Sequence, residues 1–201
     1  MQTILPRPIL ALLLATLGTS AAAVDEFRFD RVHSQVQFHV EHLGFAFSEG
    51  EFQQLEGSFH FDPADAAKAS CTVTIPMTGL DMDDATWTKK MLSKDWFNAE
   101  QFPEMRFVCT SLELEPGAKE GKLTGQLTLL GVERPVTLDL RFNRLATHKF
   151  SQAFVAGFSA EGSIKRSDFG MTHLVGDIGD TVAIRLEIEG IRKTQGGGPK
   201  K

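Results

Sequence analysis

The chain contains 201 residues, of which 42% are hydrophobic and 23% charged, and this balance is typical of a globular protein rather than a disordered one. Lysine and arginine number 21 against 26 for aspartate and glutamate, so the formal net charge is −5 and no basic excess exists to bind nucleic-acid phosphates. There are 16 phenylalanines and no tyrosine, which favours dry apolar surfaces because phenylalanine has no hydroxyl group that needs a partner. An ordinary aromatic core explains the same count. The length predicts a single domain.

The amino-terminal segment has the layout of a secretory signal peptide. Arg7 precedes an apolar core over residues 9–17, and Ala21-Ala22-Ala23 places small residues at a cleavage position. An uncleaved anchor is the alternative, but spanning a bilayer needs roughly 20 apolar residues. We therefore expect residues 1–23 to be removed, no transmembrane segment after cleavage, and a periplasmic or secreted product with one domain over residues 24–193.

Two cysteines, Cys71 and Cys109, lie within apolar segments that alternate like strands. In an oxidising compartment such a pair often forms a disulfide. The alternative is two small buried side chains that never meet, and spacing along the sequence does not decide between them.

Alternation of apolar and polar residues with a period of two dominates the rest of the chain, and it predicts half-buried antiparallel strands. About nine such strands in one domain, each with one apolar face, predict a sandwich or a barrel. The apolar sets are Val36, Phe38 and Val40; Phe59 and Phe61; Cys71, Val73 and Ile75; Met105, Phe107 and Cys109; Leu123, Leu127 and Leu129; Val136, Leu138, Leu140 and Phe142; Phe154, Ala156, Phe158, Ala160 and Ile164; and Val182, Ile184, Leu186 and Ile188.

One interval breaks this alternation. Between residues 83 and 97, Trp87, Met91 and Leu92 recur at helical spacing behind Asp83 and Asp84, which are suitable caps. The spacing predicts one short helix near residues 83–97, crossing an end or a side of the sheet. At the carboxyl terminus, the composition of residues 194–201 predicts a disordered tail.

The sequence contains no convincing catalytic or metal-binding pattern. His33, His39 and His42 are close in sequence, but His33 and His39 would be separated by roughly 20 Å along a strand. We interpret His33 and His42 as strand-end residues that hold loops by hydrogen bonds, and predict no metal, no cofactor and no catalytic residue. The segment 157–162 departs from the spacing of a hydrolase nucleophile elbow.

Several motifs, in the right order, resemble the YceI family of exported lipid-binding proteins. The resemblance runs from about Asp25 to Lys193. The motifs are Asp30-x-x-His33-Ser34 with Val36-x-Phe38-x-Val40-x-His42 and Gly50-x-Phe52; Asp95-Trp96-Phe97 with Phe102-Pro103 and Phe107; Gly125-x-Leu127-Thr128-Leu129-x-Gly131-Val132-x-x-Pro135-Val136; Arg166-x-Asp168-Phe169-Gly170-Met171; and Gly179-Asp180-x-Val182.

This resemblance implies an all-β fold, an extended antiparallel β-barrel that is lipocalin-like and often dimeric, whose interior holds an isoprenoid or another long-chain lipid. It also implies a periplasmic protein without enzymatic activity. The chain departs from the family at the helix, where a usual Arg-Asp-x-His-Leu stretch falls on Trp87-Thr88-Lys89-Lys90-Met91. Lys89 and Lys90 therefore either meet an anionic head group or lie on a solvated helix face, and we favour the solvated face.

We predict a polyisoprenoid-binding or transport protein. Two other functions remain open: a lipid-modifying enzyme, and an accessory partner of a membrane cytochrome-b-like redox protein. Arg166, His173 and Lys90 are candidate head-group contacts. The expected lipid-binding residues are Val36, Phe38, Val40, Phe59, Phe61, Phe107, Leu127, Leu138, Phe154 and Phe158.

Overall fold

The computed structural model describes residues 24–194 as one antiparallel sheet with a short helix. The predicted signal peptide and, apart from Thr194, the predicted tail lie outside the described residues. The strands are β1 (Asp25–Phe29), β2 (Gln35–His42), β3 (Ala46–Phe52), β4 (Glu56–Phe61), β5 (Ser70–Pro76), β6 (Leu80–Asp81), β7 (Glu104–Glu113), β8 (Glu120–Leu129), β9 (Val132–Thr147), β10 (Phe154–Lys165) and β11 (Ile178–Arg192), and the helix is α1 (Ala85–Met91).

Eight strands close into a barrel in the order β1-β4-β5-β7-β8-β9-β10-β11, with β1 pairing back onto β11. The long strand β11 makes this closure with its last residues, where Phe29 lies opposite Gly190. Its earlier part pairs instead with β2, and β3 and β6 continue the sheet from there. The predicted all-β, extended antiparallel barrel is confirmed.

Turn chemistry supports this order of strands at the β8–β9 hairpin. Leu130 and Gly131 form a two-residue connection, and both have positive φ angles, of 52° and 73°. A type I′ turn requires this conformation at both positions, and its twist matches that of the flanking strands. Glycine at position 131 therefore fixes a tight hairpin between the two strands.

The helix is shorter than the sequence predicts. It begins after Asp84, whose side chain accepts a hydrogen bond from the Trp87 N–H at 2.8 Å, and it ends at Met91 rather than at Phe97. The Phe97 N–H then donates to the Met91 carbonyl, so the chain turns back after the last helical turn. This reversal buries Trp96 and Phe97 in the core, which a continued helix would not achieve.

Aromatic side chains close the barrel at one end. Phe61 lies 4.9 Å from Phe158 and 5.2 Å from Phe142, measured between ring centroids, and Phe27 stacks on Phe59 at 5.1 Å. We call these five residues the aromatic plug. The opposite end, which we call the helix end, is covered by α1 and the turns that follow it. Among the described residues, no helix has the length and apolar character needed to cross a membrane.

Candidate functional site: an apolar cavity in the barrel

The barrel encloses a cavity of about 230 Å³ whose walls are almost entirely apolar. Every barrel strand contributes to the lining, and so do β2, β3 and the segment around α1. On β10 the lining extends from Phe158 to Ile164, which corresponds to about 20 Å along a strand. A cavity of this volume and length is a narrow channel, which suits a long, thin molecule.

The accessibility of the inward-facing side chains supports a hollow interior. On β11, Ile184, Leu186 and Ile188 all line the cavity, yet each is only half-buried. Phe38 and Phe107 behave in the same way on β2 and β7. In a filled core, inward residues are close-packed and lose nearly all their accessible surface. These side chains instead retain surface that faces the cavity.

Nine of the ten residues predicted to bind lipid line this cavity, and their contact with a ligand stays a prediction. Phe154 does not line it. This residue begins β10 beyond the aromatic plug, and its ring lies 4.2 Å below the Arg192 guanidinium group. Alternation gives Phe154 the same orientation as Phe158, but the cavity ends at Phe158. The nine lining residues are Val36, Phe38, Val40, Phe59, Phe61, Phe107, Leu127, Leu138 and Phe158.

The helix end contributes lining residues that the strand pattern did not predict. Met91, Trp96 and Phe97 reach the cavity from α1 and the turn after it. Phe97 meets Phe52 of β3 at 5.5 Å and Phe38 at 6.2 Å, both edge to face. The Asp95-Trp96-Phe97 motif was available as a signal, but alternation carries no information about a segment that turns back across a barrel.

A disulfide joins Cys71 and Cys109 in the cavity wall. The two residues lie on the neighbouring strands β5 and β7, with a Cα–Cα distance of 5.0 Å. The bond closes a loop between residues separated by 38 positions. Of the two alternatives that the sequence left open, the structure has the bonded pair.

Removing this disulfide should destabilise the protein. We expect the Cys71→Ser/Cys109→Ser variant to lose about 2–4 kcal/mol of unfolding free energy, because the unfolded chain regains the entropy of an open loop. Urea denaturation of the wild type and the variant measures the difference. Titration of unreduced, unfolded wild-type protein should find no free thiol, and two free thiols would contradict the bond.

Arg166 makes several structural contacts at the helix end. Its side chain is 2% exposed and lies at the helix end of the cavity, where burial lowers the pKa of its guanidinium group and nearby Asp180 raises it. Trp96 lies 5.5 Å from its charged carbon. Its N–H groups donate to the backbone carbonyls of Met171, His173, Ile178 and Gly179, and contact of Arg166 with a head group stays a prediction.

The other two candidate head-group contacts lie in the same region of the molecule. The half-buried His173 ring packs edge to face against Trp96 at 5.2 Å. Lys90 is exposed on α1, with its ammonium group 5.1 Å from the centre of the Trp87 ring. Lys89 is also exposed. Neither lysine lines the cavity, which agrees with a solvated helix face. His173 lies beside Trp96, which does line the cavity.

Asp180 holds the turn that carries Arg166. Its carboxylate accepts hydrogen bonds from the Ser167 N–H at 2.9 Å and from the Ser167 hydroxyl at 2.8 Å. The backbone bond is the main cause that lowers the pKa of Asp180 below its usual value, with the Ser167 hydroxyl and Arg166 acting in the same direction. The ionised form of this carboxyl is therefore favoured in the folded state.

This lowered pKa predicts a pH-dependent contribution to stability. A depressed folded-state pKa stabilises the protein above the unfolded value of about 3.9, and this stabilisation is lost as the pH falls through the folded-state pKa. We expect Asp180→Asn to cost about 1 kcal/mol at neutral pH. In urea denaturation across a pH series, the difference from wild type should vanish in acid. Asp139→Asn, at an exposed ion pair with Lys122, should have little effect at any pH.

The histidines do not form a metal site. Within residues 24–194, no group of three or more histidine, cysteine, aspartate or glutamate side chains is placed to hold a metal ion. His33 lies 3.2 Å from Asp30 at the end of β1, and His39 packs against Phe47. The interpretation of His33 as a loop-holding residue agrees with this contact. His60 alternates with Phe59 and Phe61 on β4, and its Nδ1 atom lies 3.3 Å from the Ser70 hydroxyl.

Comparison with known families identifies the barrel. The family model described as a YceI-like domain matches residues 27–190. The chain belongs to the YceI-like family. Protein YceI of Salmonella arizonae is 34% identical over 186 residues, which cover 92% of this chain and 95% of that protein. The family resemblance predicted from the ordered motifs is confirmed.

Solved structures share the YceI fold described above. BcnA of Burkholderia cenocepacia superposes with a TM-score of 0.71 at 25% identity, covering 80% of this chain and 98% of that one. A domain from Saccharophagus degradans, described as polyisoprenoid-binding and implicated in plant cell wall breakdown, has a TM-score of 0.63. Its identity is 14%, with 85% of this chain and 100% of that chain covered, so this similarity concerns the fold.

Proposed function

We propose that this YceI-like protein binds or transports a long apolar lipid, of the polyisoprenoid class, in the periplasm. The observation that carries the proposal is the narrow apolar channel inside the barrel, about 20 Å long on β10. Burying hydrocarbon in such a channel is worth roughly 0.8 kcal/mol for each CH₂ group. A chain that fills the channel therefore binds without any specific polar contact along its length.

The two ends of the cavity give the ligand an orientation. The aromatic plug closes one end, so a hydrocarbon tail would stop against Phe61 and Phe158. Trp96 and His173 lie at the helix end, where a polar head group would reach solvent. A domain of this fold from Saccharophagus degradans is described as polyisoprenoid-binding, which supports this class of ligand at the level of the fold.

Binding is favoured over catalysis by the chemistry of the lining. Acid–base chemistry on a bound lipid needs a titratable group aimed at the reacting atoms. Among residues 24–194, the titratable side chains of the lining are His60 and Arg166, and no carboxylate lines the cavity. The donors of Arg166 are directed at four carbonyl groups, and His60 alternates with the inward Phe59 and Phe61.

An accessory role beside a membrane redox protein is the second candidate. It is favoured by one observation, a group of exposed apolar side chains on two loops near the helix end that includes Phe45 and Phe47. Large exposed apolar patches commonly mark interaction sites. This role is compatible with lipid binding, and the vesicle experiment described below separates a protein partner from a lipid surface.

Periplasmic location is part of the proposal and follows from the signal-like segment 1–23. The disulfide in the cavity wall is consistent with an oxidising compartment. Amino-terminal sequencing of protein from the periplasm should give Val24 as the first residue. A membrane-bound product that begins at Met1 would contradict export by cleavage.

Native mass spectrometry of protein purified from its own host tests the lipid-binding proposal. We expect a mass larger than that of the polypeptide, and organic extraction should release an apolar lipid that accounts for the difference. Protein unfolded, extracted and refolded should take up an added polyprenol in equimolar amount. A homogeneous ligand-free mass with no extractable lipid and no uptake would reject lipid binding.

A further inference from the structure

Two loops near the helix end expose large apolar side chains. The β2–β3 turn presents Leu43 and Phe45 and the start of β3 presents Phe47, with the two phenylalanines 89% and 64% exposed. The loop before β11 presents Leu174 and Val175. The loops are neighbours, because the Leu43 N–H donates to the Asp177 carbonyl at 3.1 Å. We call these five side chains the apolar tip.

The backbone of both loops is unusual for exposed turns. Leu43 and Leu174 have positive φ angles, of 54° and 52°. This left-handed conformation is uncommon for residues other than glycine, asparagine and aspartate. The same three residues are common in solvent-exposed turns. Leucine at both positions makes the turns less stable and more apolar, so local folding does not explain the choice of residue.

The apolar tip lies close along the chain to residues that line the cavity. Val40 and Met171 line the channel, and they precede the exposed residues of the two loops by only a few positions. Val40 lies opposite Val182 at the start of β11, which also lines the channel. Arg166 holds the second loop in place through the carbonyls of Met171 and His173. A surface that contacts the tip therefore lies beside the helix end of the ligand channel.

The size of the tip favours a lipid surface over a second copy of the chain. A phenylalanine side chain has a surface of about 150–250 Å², so at exposures of 89% and 64% the two phenylalanines present about 230–380 Å², and the three aliphatic side chains, less than half exposed, add less than that. A stable dimer buries about 800 Å² on each partner. Insertion into a bilayer interface requires no such minimum buried area, because only the side chains of the tip need to be transferred from water into the lipid.

We propose that the apolar tip docks the barrel onto a lipid bilayer, with Phe45 and Phe47 inserted into the interface and the helix end of the channel beside them. This arrangement lets a long apolar ligand pass between membrane and barrel with little exposure to water. The role of docking in lipid transfer rests on the proposed function. Its evidence, the exposed side chains and the backbone that presents them, is independent of any ligand.

Flotation with vesicles of pure phosphatidylcholine tests the docking. The Phe45→Ser/Phe47→Ser variant should lose at least about tenfold in vesicle partitioning, because the apolar area available for insertion is removed. Phe150→Ser is the matched control: Phe150 is 84% exposed, but it lies in the β9–β10 turn, about 35 Å along β10 from Lys165 and the helix end. Wild type and this control should float equally well.

Equal flotation of all three proteins, or no flotation of the wild type, would overturn the proposal. Absent flotation together with self-association that the double substitution abolishes would assign the tip to a second copy. Absent flotation together with capture by a membrane redox protein would assign it to that partner. Native mass spectrometry keeps the two proposals apart: a wild type that floats without carrying lipid fails the proposed function alone, and one that carries lipid without floating fails docking alone.

Discussion

Replacing Arg166 by methionine is expected to lower the unfolding free energy by about 5 kcal/mol or more, enough to unfold a marginal domain. The side chain donates to four backbone carbonyls at 2.8 to 3.0 Å in a site where it is 2% exposed. Methionine fills much of the volume but leaves these carbonyls without their donors. Hydrogen bonds to a charged group contribute about 1.5–3 kcal/mol each, though they do not add fully.

Two variants show whether the hydrogen bonds are responsible. Arg166→Lys keeps the charge but lacks the planar fork of donors, so it should also be strongly destabilised. Arg185→Met removes an exposed arginine that pairs with Glu187 on β11, and it should have little effect on stability. Urea denaturation measures all three. An Arg166→Met protein as stable as Arg185→Met would show that the carbonyls find other partners.

The strands that the sequence predicts are those with a clean alternation of apolar residues. β9 is an example, where Val136, Leu138 and Leu140 are buried while Thr137 and Asp139 are exposed. β3 was missed because its two large apolar residues, Phe47 and Phe52, are five positions apart and so fall on opposite faces. β1 is short, and β6 has only two residues, too few for any period.

Alternation identifies which side chains face inward, but it does not say whether the inside is filled. Phe154 and Phe158 have the same predicted orientation, yet only Phe158 lines the cavity, because the aromatic plug lies between the cavity and the end of β10. That plug combines residues from β1, β4, β9 and β10, which are far apart in the chain. Their meeting depends on barrel closure, which a single sequence does not display.

The sequence pattern also did not predict the main-chain contacts of Arg166. A lone arginine in a family motif suggests an anion contact, and the charge alone supports that interpretation. Its hydrogen-bond partners are main-chain carbonyls of the loop before β11 and of the first two residues of β11, and main-chain groups have no sequence signature. The motif therefore indicated that the residue matters, while the structure shows that its contacts hold the loop beside the channel.

Replacing Phe107 by aspartate is expected to abolish lipid retention. Phe107 lines the cavity midway along β7, between Met105 and the disulfide-bonded Cys109, and its ring lies against Gly125 of β8. The lining residues that β7 contributes are all uncharged, so a carboxylate placed there has no cationic partner on its own strand. Burying it unpaired against hydrocarbon costs several kcal/mol. Because each 1.4 kcal/mol is a factor of ten in affinity, we expect a loss of at least about 100-fold.

The pH dependence of this variant separates a charge effect from a shape effect. An apolar surrounding raises the pKa of an aspartate, so lowering the pH should neutralise the new side chain and restore part of the lipid retention. Phe107→Leu, which keeps the wall apolar, should retain lipid at every pH. Thr110→Asp places the same charge at an exposed position of β7 and should also retain it. Native mass spectrometry with lipid extraction measures all four proteins. If the Phe107→Asp protein holds as much lipid at neutral pH as the wild type, the ligand does not lie along this wall, and the channel between the aromatic plug and the helix end is not the lipid site.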